Sequence, residues 1–434
     1  MKLIRTYGKT AKVAAGLIEA IERRGAVNTA KVEAVVATIL ADIRQGGDAA
    51  VVEYARRFDG LAREDGTLQP LPVTREEMEA AWEETAPALR TAMEVAQVNI
   101  RAFAEAQKPG EWMMDAVSSP GLGVKTGQIV RALGSVGCYV PGGRYPLPST
   151  LLMTVTPAQV AGVERIVVCS PRPGRETLAA GWLAGVTEFY RVGGAQAVAA
   201  MAYGTETIAR VERIVGPGNL YVTAAKVMVS GECGIDMQAG PTEIGVASDT
   251  GDAAGIAADL VAQAEHDPEA LAVLVTSNEG LAEAVLAEVK VQSRGNAIAE
   301  ESLAAQGAIF VTKTVTHMRE LTNRLAFEHL SVDAASDLLW VRDAGSVFVG
   351  RFSPQSMGDY ISGPNHVLPT GRAGRIRGGL SVMDFVKVIT VQQYSKRGLR
   401  ALGPHAIALA EAEGLAGHAQ SIRVKLGMKN GSAA

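Results

Sequence analysis

Cysteine is scarce in this chain: 434 residues contain three, Cys138, Cys169 and Cys233, each in an isolated context. This excludes a disulfide framework and a thiolate zinc cage, so any metal must be held by nitrogen and oxygen donors. An excess of one charge is also missing. With 42 basic against 46 acidic side chains, a net charge of −4 and no Lys/Arg block, the footprint of a nucleic-acid binder is absent and a small-molecule substrate is expected. No apolar run is long enough to span a bilayer, and Met1-Lys-Leu-Ile-Arg5 is not followed by the apolar core of a signal peptide. The expectation is a cytoplasmic protein with no membrane partner. Internal repeats, low-complexity tracts and the G-x-G-x-x-G spacing of a standard dinucleotide fold are likewise absent.

What remains is the composition of an ordinary globular protein, 47% hydrophobic and 20% charged, in a chain long enough for two or three domains. Residues 12 to 108 carry Ala-rich, charged helical patterns, broken at Gly46-Gly47 and near Gly60, and read as a helical layer. From about residue 129 short β-branched runs alternate with helical patterns. Strands are predicted at 135–140, 165–169, 188–192 and 213–215, with helices at 149–162, 176–185 and 195–203. A second set has strands at 243–247, 271–275 and 308–311, with helices at 252–265 and 280–290. Such alternation predicts an α/β fold of two halves, with parallel sheets and right-handed crossovers. Beyond Gly379 the pattern returns to helix: Ser381 is a candidate N-cap for a helix over 382–389, and a second helix runs from Pro404 to Glu413.

Four of the six histidines stand beside an acid, an amide or a glycine turn: Gln263-Ala-Glu-His266, Glu328-His329, Asp359 with His366, and Glu413 with His418. A zinc site with a general base needs such donors, which makes an enzyme the first hypothesis. Gln263 and His266, three residues apart at the end of a helical pattern, either leave one face towards a single ion or form a buried structural pair. An amide oxygen is a weak ligand, so further donors must come from elsewhere, with Asp359 and His418 the best candidates. The polar loop Met357 to Pro369 either carries Asp359 and His366 for function or is a turn built on Asp359 and Asn365. Glu328-His329 has the groups to take an alcohol proton or activate water, or else is an exposed surface pair. Three glycine turns, Tyr139-Val-Pro-Gly-Gly143, Gly193-Gly-Ala-Gln196 and Gly216-Pro-Gly-Asn219, follow predicted strands at the edge where open sheets bind ligands, and suggest a nucleotide.

Taken in order, these motifs resemble the histidinol dehydrogenase family. The resemblance runs from Asp42-Ile-Arg-Gln-Gly-Gly-Asp48 through Tyr139–Gly143, Gly234-Ile-Asp-Met237, Ala239-Gly-Pro-Thr-Glu243, Gln263–His266, Glu328-His-Leu330 and Asn365-His-Val-Leu-Pro-Thr370 to Ala412-Glu-Gly-Leu415. It implies two incomplete Rossmann-like parallel-sheet domains with small helical terminal elements, in an intertwined homodimer. The implied division is a helical element at 1–25, a first α/β domain of 26–129 plus 238–380, an NAD-binding domain at 130–237 and a dimerisation tail at 381–434. It also implies one Zn2+ per subunit on Gln263, His266, Asp359 and His418, the last from the second subunit. His329 is implied as general base, and Glu328 as the residue that activates water. Thr242, His366 and Glu413 would touch substrate together with Gln263, His266, His329, Asp359 and His418. Tyr139, Gln196 and Asn219 would touch NAD+. The implied reaction is oxidation of histidinol to histidine by two hydride transfers.

The chain departs from the family pattern at three places. Arg144-Tyr145 stands where small residues are usual, Thr242 where serine is common, and Pro364 where threonine is usual. The variants at 144 and 364 are also similar to relatives that oxidise other polar alcohols such as 2,3-dihydroxypropane-1-sulfonate. Arg144 would then pair with a sulfonate or a cofactor phosphate, or is a solvated charge. A zinc hydrolase and a non-catalytic metal binder are the readings from other classes, and neither accounts for the full motif set.

Overall fold

The short β-branched runs assemble into two all-parallel sheets. The computed structural model describes residues 1–24, 29–62, 65–142, 145–238 and 240–428, so Gly143 and Arg144 of the first glycine turn and Ala239 lie outside the described residues. Two units are distinguished, Met1–Gln107 with Leu133–Phe385, and Lys108–Ala132 with Val386–Ala434.

In the first unit one sheet has the strand order Glu188–Tyr190, Arg165–Cys169, Ser135–Tyr139, Arg213–Val215, Gly234–Ile235. The chain starts in the middle, steps outward twice, then crosses back to the other side. The second sheet repeats the scheme: Ala308–Val311, Leu271–Thr276, Glu243–Ala247, His329–Val332, Ser346–Val349, with Lys2–Arg5 added beyond Ala308–Val311. Each neighbouring pair is parallel. Ser135–Tyr139, Glu243–Ala247 and Leu271–Thr276 are buried along their whole length, which is why they read as continuous apolar runs rather than as alternation. Reversal of strand order leaves a crevice beside the central strand of each sheet, the usual place for a ligand in open α/β folds.

The expected helices lie at Pro148–Ala161, Arg175–Leu183, Gly194–Tyr203, Ala253–Ala264 and Glu279–Gln292. Pro148 opens the first of these, and Gly162, at φ 93°, closes it in the left-handed conformation. Helices Glu33–Phe58, Arg75–Glu84 and Pro87–Gln107 form the predicted layer, with non-helical geometry at Gly47 where a break was expected. Their apolar faces pack on the helices of the 135–235 half. Long-range packing of this kind leaves no mark in local periodicity.

The second unit holds an antiparallel sheet of Val386–Tyr394, Val124–Ala132 and Trp112–Asp115, with helices Lys396–Ala412 and Ala416–Leu426. This corrects the helix expected over 382–389. Ser381 is followed by a single 3-10 turn, Val382–Phe385, and then by a strand. The β-branched Val386, Val388, Ile389, Thr390 and Val391 suit a pleated surface, and Val124–Ala132 supplies a partner along all nine residues. Among the described residues no helix is long and apolar enough to cross a membrane.

Candidate active site

Two adjacent strands of the larger sheet, entered from the same end, bring the predicted catalytic pair together with Thr242. His329 opens its strand and stands beside Ile244 in register, so Glu328 falls next to Thr242 and Glu243 at the N-terminal edge of the sheet. Both members of the pair are buried, Glu328 being 5% and His329 3% exposed. That excludes the reading of an exposed surface pair.

Glu328 is held on one oxygen by two donors: the Thr242 hydroxyl at 2.6 Å and the Glu243 backbone N–H at 2.7 Å, both to Oε2. The Gln263 amide in turn donates to the Thr242 hydroxyl. His329 Nδ1 lies 3.2 Å from the Glu243 carbonyl and 3.6 Å from Glu328 Oε2, while Nε2 lies 3.6 Å from Asp359 Oδ1. Donation from Nδ1 to the carbonyl fixes the ring and turns Nε2 towards Asp359. Burial alone would lower the pKa of His329, but the charges of Glu328 and Asp359 and their hydrogen bonds outweigh it and push it up to about 10. Burial tends to raise the pKa of Asp359, yet the hydrogen bond from His329 and the charges of His329, His366 and His266 hold it below the ordinary carboxylate value.

Asp359 sits in the short helix Gln355–Tyr360. His366, in the loop that follows, has Nδ1 at 2.7 Å from the Asp359 carbonyl and Nε2 at 3.2 Å from the hydroxyl of Thr150. Burial lowers its pKa, so it is favoured as the neutral imidazole. Asn365 is a turn residue as well, its side chain bonding the Met153 carbonyl at 2.5 Å and the Val367 N–H at 2.9 Å. A cavity of about 280 Å³ opens beside these groups, lined by His329, Phe348, Asp359, Pro364, Asn365 and His366 among others. Thr150 gave no sequence signal, and Glu243 stood as the last residue of a family motif with no role attached; Thr150 reaches the site from another helix and Glu243 through the strand register.

The donor chemistry suits a metal bound by nitrogen and oxygen. The side-chain oxygen of Gln263 is buried without a hydrogen-bond partner while its nitrogen is engaged by Thr242, so a carbonyl donor is left free for a ligand. His266 has Nδ1 within 3.0 Å of the Ala262 carbonyl and 3.2 Å of the Gln263 carbonyl. Its other nitrogen is thereby left as a ligand position. Among the described residues no group of three or more His, Cys, Asp or Glu side chains is gathered for a metal. Glu413, at the end of helix Lys396–Ala412, and His418, on helix Ala416–Leu426, belong to the second unit and are exposed.

The described residues of the three glycine turns lie at the C-terminal edge of the five-stranded sheet. Tyr139 ends the central strand, and its buried hydroxyl accepts the Gly194 N–H at 3.1 Å. Gln196 is buried too, donating to Asp59 at 2.9 Å, and Asp59 also takes the Gly193 N–H at 2.9 Å. Asn219 is exposed and caps helix Leu220–Val229 by accepting from the Tyr221 and Val222 amides. Tyr139 and Asn219 thus flank the crevice at the reversal of strand order, while Gln196 supports the neighbouring turn.

Comparison with known proteins shows the family. A family profile described as histidinol dehydrogenase matches residues 22–426. The histidinol dehydrogenase of Methanothermobacter thermautotrophicus is 47% identical over 405 residues, covering 90% of this chain and 92% of the relative. That of Geobacillus kaustophilus is 47% identical over 403 residues, covering 90% and 93%. The crystal structure of histidinol dehydrogenase from Elizabethkingia anophelis superposes with a TM-score of 0.91 at 33% identity, covering 98% of each chain. The chain therefore belongs to the histidinol dehydrogenase family of oxidoreductases.

Proposed function

We propose that this protein oxidises L-histidinol to L-histidine through L-histidinaldehyde, the last steps of histidine biosynthesis, reducing two NAD+ per substrate. The reading is carried by the hydrogen-bonded chain Gln263, Thr242, Glu328 with His329 beside it, buried next to Asp359 and His366. In the first step the alcohol loses a hydride to NAD+ and its hydroxyl proton to His329, giving the aldehyde, NADH and one proton; with Asp359 on Zn2+, part of the negative charge that raises the His329 pKa is withdrawn, which favours the neutral imidazole this step needs. In the second, Glu328 helps water add to the aldehyde, and the hydrate gives a second hydride to NAD+ and releases a hydroxyl proton, leaving the acid, a second NADH and a second proton. Thr242 and the Glu243 amide are both on one carboxylate oxygen of Glu328, and the other oxygen is assigned to the attacking water.

One Zn2+ per subunit would be held by Gln263, His266, Asp359 and the partner subunit's His418, and when bound would serve as a template for the imidazole and amine of the substrate. The free Gln263 oxygen supports this reading. His366 and Glu413 complete the proposed substrate contacts, with Thr242. A homodimer that shares its sites is supported by exposed apolar side chains in the second unit, among them Trp112, Met113, Met114, Ile389 and Leu409. NAD+ is placed by the proposal in the crevice between Tyr139 and Asn219. The three cysteines are free and buried, as suits the reducing cytoplasm, the location we assign.

The test is NADH formation by the zinc-loaded protein with L-histidinol, beside 2,3-dihydroxypropane-1-sulfonate and simple alcohols. Two NADH per histidinol support the proposal. Turnover of the sulfonate alone would move the substrate assignment to Arg144 and its neighbours, and no NADH from any alcohol would overturn it.

A further inference from the structure

The segment Gly234-Ile-Asp-Met237 belongs to the family resemblance yet has no part in the site described. Its aspartate, Asp236, forms an ion pair with Lys226 inside the protein, with side chains 0% and 3% exposed. Both residues converge on the backbone of one residue, Gly216, whose N–H and C=O lie in successive peptide units. Asp236 Oδ2 accepts the Gly216 N–H at 2.8 Å, and Lys226 Nζ donates to the Gly216 carbonyl at 2.9 Å. The other Asp236 oxygen takes Lys226 and the Met237 N–H, the latter at 2.6 Å. Gly216 is thus gripped from both of its polar groups by full charges, and charge-assisted hydrogen bonds are the strong ones.

The position of that residue matters. Gly216 directly follows the strand Arg213–Val215, next to the central strand at the reversal of the five-stranded sheet. Its φ is +115°, and a Cβ there would fall 2.1 Å from the Tyr139 carbonyl oxygen, so the turn lies hard against the end of the central strand. Three residues later Asn219 caps helix Leu220–Val229, which carries Lys226 back beneath the turn. A buried ion pair contributes little net stability compared with apolar side chains of the same volume. What it supplies here is geometry.

We propose that Lys226 and Asp236 are positioning residues for the cofactor: by pinning the backbone on both sides of the Gly216 Cα they set the Gly216-Pro-Gly-Asn219 turn in the shape that receives the dinucleotide. The inference rests on the cofactor assignment made under Proposed function. It is tested with full-length protein carrying Lys226→Met, and with Lys226→Met/Asp236→Asn, which removes both charges and so leaves no unpaired charge in the core. Folding is checked by thermal unfolding, NAD+ affinity by titration calorimetry, and the turn itself by hydrogen exchange of the peptide spanning residues 216–219. The expected result is an NAD+ Kd and KM raised roughly tenfold or more, faster exchange across the turn, and a KM for the alcohol within about twofold of the parent. Folded variants that bind NAD+ as the parent does would overturn the proposal and leave the cofactor assignment standing. A parent protein that neither binds nor reduces NAD+ would remove that assignment, and the inference with it.

Discussion

The hydroxyl of Thr242 donates to Glu328 Oε2 at 2.6 Å and accepts from the amide of Gln263, so one side chain connects the proposed water-activating carboxylate to the proposed metal ligand. A hydrogen bond to a charged group is worth about 1.5–3 kcal/mol. Thr242→Val, which keeps the shape, is therefore expected to lower kcat by roughly tenfold to a hundredfold, while Thr242→Ser stays within about threefold. Steady-state kinetics of the two variants check this; equal rates for Val and Thr would remove the role of the hydroxyl.

Glu328 and His329 adjoin in sequence but serve different steps in the proposal. Glu328→Gln is expected to slow formation of the acid far more than oxidation of the alcohol, so aldehyde should accumulate when it is trapped. His329→Ala should depress the alcohol step by a factor of about 10² or more while zinc content stays near that of the parent. Single-turnover kinetics with metal analysis separate the two. Equal slowing of both steps by Glu328→Gln would count against hydration as its task.

His418 is assigned as the ligand that completes the neighbouring subunit's site. Mixing inactive His418→Ala and inactive His329→Ala chains should then restore activity, because in a heterodimer one of the two sites has both groups intact. Subunit exchange is confirmed by native mass spectrometry. Exchange without recovered activity would reject a shared site.

Glu243 lies beside Glu328 and is buried; burial first, and then the charge of Glu328, raise its pKa from 4.5 to about 7. The unfolded chain has the lower pKa, so the native protein binds more protons between the two values. Stability is therefore expected to fall as pH rises from about 4.5 through 7, by about 3 kcal/mol. Glu243→Gln keeps an oxygen for the Gly371 N–H, which Glu243 now accepts at 3.2 Å, and should flatten this slope between pH 5 and 8. Denaturant titrations at several pH values measure it, and an unchanged slope would show that Glu243 does not titrate in this range.

The local sequence by itself marked the strands at 135–140, 165–169, 188–192, 213–215, 243–247, 271–275 and 308–311 and the helices between most of them, because a buried parallel strand is a short apolar run and its crossover helix has its own period; it did not mark His329–Val332 or Ser346–Val349. It also decided which atoms can bind a metal, since the three isolated cysteines left only nitrogen and oxygen donors, and it marked Gln263, His266, Glu328, His329 and Asp359 by their chemistry. Pairing partners distant in the chain decided the rest. Val386–Tyr394 is a strand because Val124–Ala132 lies alongside it, although its first half followed what read as a helix cap. Glu328 and His329 became a buried pair only when their strand entered the sheet next to Glu243. Lys226 and Asp236, ten residues apart and ordinary charges in the sequence, meet only because a helix returns beneath the strand it follows. Periodicity reports which face of an element is apolar; it carries no information about which other element will cover that face, and the electrostatics of this site were settled there.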